Sequence, residues 1–165
     1  MDVRLALVEA QNQGIISELD FSTGREFWQE LSGDRAYGAE QADATITLKY
    51  PGTDRIRILL EIDTGNFRQT RHWEPKIRSF LQTGFPIWVV TGSAPRIMTL
   101  QKWTQPLLEE AGVGPGKCVF TVYDDLINLG IFGAVWQRTD GSVTNLRPRT
   151  ASPTVEEDTS GFPNI

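Results

Sequence analysis

The sequence predicts an α/β (α+β) fold, a central mixed sheet flanked by helices, and three stretches predict it. In residues 55–65, RIRILLEIDTG, Ile56, Ile58, Leu60 and Ile62 alternate with Arg57, Leu59, Glu61 and Asp63. That period of two marks a strand with two different faces, and the run stops at a glycine. Residues 86–92, PIWVVTG, are apolar almost throughout, as expected of a central strand covered on both sides. Residues 93–112 carry Ile97, Leu100, Trp103, Leu107 and Leu108 at helical spacing, with a bend expected at Pro106.

Taken in order, Val3, Ala6, Leu7 and Ala10 recur as one face of a helix, with Asp2 as its cap and Gly14 as its stop. Glu9 falls off that stripe; it is read as a solvated glutamate or as a carboxylate leaning toward an acidic cluster. Residues 15–21 alternate as a first strand, and Thr23-Gly24-Arg25-Glu26 has capping-box spacing before a short helix with Phe27 and Leu31. Residues 33–41 read as a loop. A second alternating run, 43–50, precedes the turn signal Pro51-Gly52-Thr53-Asp54.

Pairing Tyr50 with Ile56 across that turn sets Thr45 opposite Glu61 and Asp43 opposite Asp63. Asp43 then lies diagonal to Glu61, roughly 7–8 Å away between alpha carbons. Carboxylates at the end of an apolar strand are costly unless a cation or water meets them. Three of them converging suit a hard divalent cation such as magnesium, which takes oxygen ligands and keeps several waters.

After Gly65, Trp73, Ile77, Phe80 and Leu81 form an apolar helical face, with Pro75 expected in the first turn. Lys76 sits at the edge of that face, where its stem packs and its ammonium reaches out. His72, the sole histidine, reads as solvated. Residues 118–123 form a further strand, and 130–138 with 142–146 a terminal hairpin around Asp140-Gly141. The domain spans 1–147, and the proline-, serine- and acid-rich 148–165 reads as a flexible tail.

Composition narrows the function. The single Cys118 excludes an internal disulfide or a cysteine-built zinc site and fits a buried core position. No run of about 18 apolar residues is present, so no membrane span is expected. With no secretory signal either, a cytoplasmic location follows. The net charge of −5 argues against unassisted tight nucleic-acid binding, yet Arg68, Arg71, Lys76 and Arg78 cluster locally. Walker, nucleophile-elbow, histidine–metal and dinucleotide motifs are absent.

The order helix, three strands, helix, strand, with Asp43 at the start of the second strand and Glu61 at the end of the third, resembles the PD-(D/E)XK nuclease core. That core is a restriction-endonuclease-like fold of order αβββαβ, here with a C-terminal extension. Asp43-Ala44, the turn, residues 60–65 (LEIDTG) and a following helix with Lys76 are similar to the plasmid replication-relaxation family, over roughly residues 2–110. The resemblance implies a DNA-processing protein. Asp43 and Glu61 would hold magnesium (or manganese as a substitute), with the Ile62 carbonyl as a further ligand and Glu9 completing the site through water. A lysine would stabilise developing negative charge.

Two departures stand out. Asp63 occupies the position where the nuclease motif has its lysine, and Ala42 replaces the usual proline. Lys76 is the expected substitute from the neighbouring helix, and the catalytic set is Asp43, Glu61, Asp63 and Lys76. Asp63 has the alternative of capping the loop that follows it. Arg68, Arg71 and Arg78 would steer DNA phosphates. The competing expectation is a catalytically silent module that binds DNA or a replication or mobilisation partner, anchored by whichever of Trp28, Trp73, Trp103 and Trp136 are exposed, a core role being the default for each.

Overall fold

The structure, a computed structural model, describes residues 3–23, 42–65 and 69–147. Helix α1 (Val3–Asn12) is followed by β1 (Glu18–Thr23), β2 (Ala44–Lys49), β3 (Arg55–Asp63), α2 (Thr70–Gln82), β4 (Ile87–Thr91) and α3 (Ala94–Glu110). A 3-10 turn (Pro115–Lys117) leads to β5 (Cys118–Val122), α4 (Tyr123–Leu129), β6 (Trp136–Arg138) and β7 (Val143–Thr144). The strands form one mixed sheet in the order β1-β2-β3-β4-β5-β6-β7. The β1-β2-β3 meander is antiparallel, β3-β4-β5 is parallel, and β6 and β7 return antiparallel.

Two apolar cores follow from the pleat, because alternate side chains leave a strand on opposite faces. On one face α1 packs Val3, Ala6, Leu7 and Ala10 with Ile46, Leu48, Ile58 and Leu60, joined by Leu126 of α4. On the other, α2 and α3 pack Trp73, Ile77, Phe80, Ile97 and Leu100 with Leu59, Val89 and Phe120. Cys118 is buried in this second core, and burial pushes its thiol pKa up. No helix among the described residues is long and apolar enough to cross a membrane.

Several sequence expectations change. The β2–β3 register is Ala44↔Leu60 and Lys49↔Arg55, two residues from the expected pairing. The turn explains it: the Thr53 amide bonds the Tyr50 carbonyl at 3.2 Å, and Gly52 has φ 76°. Tyr50 therefore opens a proline–glycine turn instead of extending the strand, and its hydroxyl donates to the Leu146 carbonyl at 2.6 Å. A shift of two leaves every side chain on its expected face. Strand β1 begins only at Glu18, because the Ile15 and Ile16 amides turn back to the Ala10 carbonyl around Gly14.

Pro75 lies inside α2 and not in its first turn, since the helix already starts at Thr70. Residues 123–129 form α4, with Asp124 and Asp125 in its first turn; Tyr123, expected as the last residue of the strand, opens this helix instead, and the sequence pattern indicated nothing for 124–129. The terminal hairpin keeps its turn but pairs only Trp136–Arg138 with Val143–Thr144. The capping box at 23–26, the helix with Phe27 and Leu31, the loop at 33–41 and the tail at 148–165 concern segments lying wholly or largely outside the described residues.

Candidate functional site

Glu61 is the centre of the arrangement. It stands two residues after Leu59 on β3, so it faces α2 and α3, and it is only 1% exposed. Trp73 fixes α2 against α3 by donating from Nε1 to Thr104 Oγ1 at 2.9 Å. Three residues on, Lys76 is therefore carried inward to 8% exposure, and its Nζ donates to Glu61 Oε1. The ammonium does not reach out to solvent as the sequence implied, because a buried carboxylate waits beneath it. The Phe80 ring centroid lies 6.0 Å from the same nitrogen. Glu61 Oε2 is buried and has no hydrogen-bond partner among the described residues. Burial pushes the Glu61 pKa up to about 7; Lys76 pulls it down, while Asp43 and Asp63 add to the rise.

Asp43 precedes β2 and is exposed. Its Oδ2 accepts the Ile62 amide at 2.7 Å, standing in for a strand carbonyl just where β2 has not yet begun. Continuing the β2–β3 ladder by one step sets Asp43 across from Glu61 instead of diagonal to it.

Asp63 takes a different place. It is 3% exposed, and both its oxygens accept from Arg96: Nε to Oδ2 at 2.7 Å and Nη2 to Oδ1 at 2.9 Å. This bidentate geometry is the strongest form of the arginine–carboxylate contact. Arg96 rises from the first turn of α3, where Ser93 caps the helix by accepting the Arg96 amide at 3.4 Å. Its guanidinium lies 5.3 Å from the Trp103 ring centroid. Asp63 is thus held by a helix cation.

The remaining expected residues do not gather here. Glu9 is exposed on α1, across the sheet from Glu61, and its Oε1 accepts from Gln13 at 3.4 Å. Arg78 is tied to Glu74 at 2.9 Å and Glu110 at 2.8 Å. Arg71 is exposed, with Nε 3.2 Å from His72 Nε2, and Arg68 lies outside the described residues. Trp73 and Trp136 are buried and Trp103 is partly buried, so they serve the core and not a free surface; Trp28 lies outside the described residues.

A hard cation would find the Glu61 Oε2 atom and the exposed Asp43 carboxylate as oxygen donors on one sheet face, with water making up the rest of its shell. Among the described residues, no group of three or more His, Cys, Asp and Glu side chains is gathered as a ligand set. Sequence reasoning missed Arg96, which no local spacing links to Asp63; it placed Thr45 on the face of Glu61 but directly opposite it, whereas the register sets it diagonal. No family model, curated protein or solved structure matches the chain.

Proposed function

We propose that the protein is a DNA-processing module with a nuclease-like core, whose Asp43, Glu61 and Lys76 serve magnesium-dependent phosphodiester hydrolysis in plasmid or mobile-element replication. The observation that carries this reading is Lys76 lying on Glu61. An ammonium from α2 takes up the role that the motif assigns to position 63, where this chain has an aspartate. The order α1-β1-β2-β3-α2-β4, with the carboxylates at the start of β2 and the end of β3, supports the same reading.

Asp43 and Glu61 would hold the cation. The chemistry such a cation would supply there is polarisation of a phosphoryl oxygen and activation of a water. The chain's own part is electrostatic. Lys76 places a fixed positive charge beside the site, where negative charge develops on the phosphate. Arg96 neutralises Asp63 two residues along β3 from Glu61, and Arg71, exposed on α2, would steer DNA phosphates, a role also proposed for Arg68.

Supercoiled plasmid incubated with the protein and magnesium, with and without EDTA, tests the reading. Cation-dependent nicking that Lys76→Ala abolishes in a folded protein is the expected result, and full activity in that variant removes Lys76 from the mechanism. Asp63, engaged by Arg96, favours a second reading, since only two carboxylates then remain for a cation. In that reading the module is catalytically silent and binds DNA or a replication or mobilisation protein. Retained gel shift without nicking at high protein concentration selects it.

A further inference from the structure

Buried polar atoms in folded proteins are nearly always hydrogen-bonded to protein or to ordered water, so each exception asks for an explanation. Among the described residues, the unpartnered buried side-chain atoms include Thr45 Oγ1 and Glu61 Oε2. The two residues occupy adjoining positions on the sheet. Thr45 pairs with Leu59, so on the face toward α2 it stands diagonal to Glu61, two residues further along β3. Both residues are at least nine-tenths buried.

We infer that Thr45 is a positioning residue of this site, its hydroxyl and the free Glu61 oxygen sharing one buried water. A hydroxyl can donate or accept, and a carboxylate oxygen accepts, so a single water satisfies both atoms and still has capacity for a further bond. Lys76 holds one oxygen of Glu61 and the water holds the other, which fixes the rotation of the carboxylate plane. Thr45 thereby acts on the candidate site through Glu61 without meeting a substrate. The inference does not rest on the nuclease-like reading, because it concerns the cation-free protein.

The test is made on the full chain in EDTA, with Thr45→Val and Thr45→Ser. Valine keeps the shape and the strand preference of threonine and removes only the hydroxyl. If that hydroxyl is bridged, Thr45→Val lowers the denaturation midpoint; if it has no partner, removing it leaves the midpoint unchanged or raises it. A midpoint at or above wild type therefore overturns the inference. Crystals of the wild type and Thr45→Ser should show a water within hydrogen-bond reach of residue 45 and Glu61 Oε2, and Thr45→Val should lose it. The crystallographic arm decides the matter even where the valine variant fails to fold. A wild-type map with no density there, or with a protein side chain in its place, overturns the inference.

Discussion

At the scale of single residues, the Glu61–Lys76 pair makes the stability of the fold depend on pH. Because the folded pKa of Glu61 is raised from 4.5 to about 7, the folded state binds a proton that the unfolded chain has already released. Stability from this group is thus fully present below about pH 4.5 and is lost as pH rises toward 7, by roughly 3 kcal/mol in all. Glu18, Glu110 and Asp140 have lowered pKa values and act in the opposite sense, below their ordinary range, so the two windows separate. Urea titrations in EDTA should show the folding free energy falling between pH 5 and pH 7, and a flat profile there would refute the assignment. Lys76→Met removes the cation that holds the Glu61 pKa down, so the carboxyl titration followed by NMR moves above 7. Breaking a buried pair in this way costs about 3–5 kcal/mol when the remaining charge stays ionised. The loss should accordingly be larger at pH 8 than at pH 6. Asp43, Glu61 and Lys76 were legible in the sequence because each stands at a telling place, a strand start, a strand end and the edge of a helical stripe. Arg96 was not, because its partner is 33 positions away and only the fold brings them together.

At the scale of elements, the helix pair α2–α3 carries Lys76 and Arg96 to the two neighbouring carboxylates of β3. Its seam contains a buried hydrogen bond from Trp73 to Thr104, whose hydroxyl in turn donates to the Leu100 carbonyl at 2.7 Å. Thr104→Val keeps the volume and strands the indole N–H, at a cost of about 1–3 kcal/mol measurable by thermal unfolding. An unchanged midpoint would mean that water replaces the bond. Pro75 works against the same helix, because an interior proline removes one amide donor and crowds the carbonyl four residues back. Pro75→Ala should stabilise the protein by about 1 kcal/mol, the helix gain being partly offset by a freer unfolded chain. The strong elements were readable because their apolar period is long and consistent. Helix α4 was missed because seven residues offer too little periodicity, and its Leu126 alone is buried. The β2–β3 register moved by two because Tyr50 opens the turn, its carbonyl accepting the Thr53 amide, and does not extend the strand.

At the scale of the whole molecule, the sheet separates two cores, and the carboxylates that matter lie on the side covered by α2 and α3. This division explains why Glu9 is not part of the arrangement although its helix was correctly anticipated: which face a helix covers is decided by the chain path, and spacing along the sequence does not carry it. A cation held by Asp43 and Glu61, as proposed, would join the start of β2 to the end of β3 and so would couple to the folding of the whole sheet. A ligand that binds only the folded state stabilises it by about 2.7 kcal/mol at a free concentration of about 100 times its Kd. For a chain of this size each kcal/mol raises the melting temperature by about 2–4 °C. Manganese or magnesium at saturation should therefore raise the melting temperature by about 5–10 °C, and EDTA should reverse the rise. Asp43→Asn should remove most of the effect while leaving the metal-free melting temperature near that of the wild type, since an amide oxygen still accepts the Ile62 N–H. If neither ion shifts the transition at millimolar concentration, the two carboxylates do not hold a cation, and the silent binding module becomes the reading that the geometry supports.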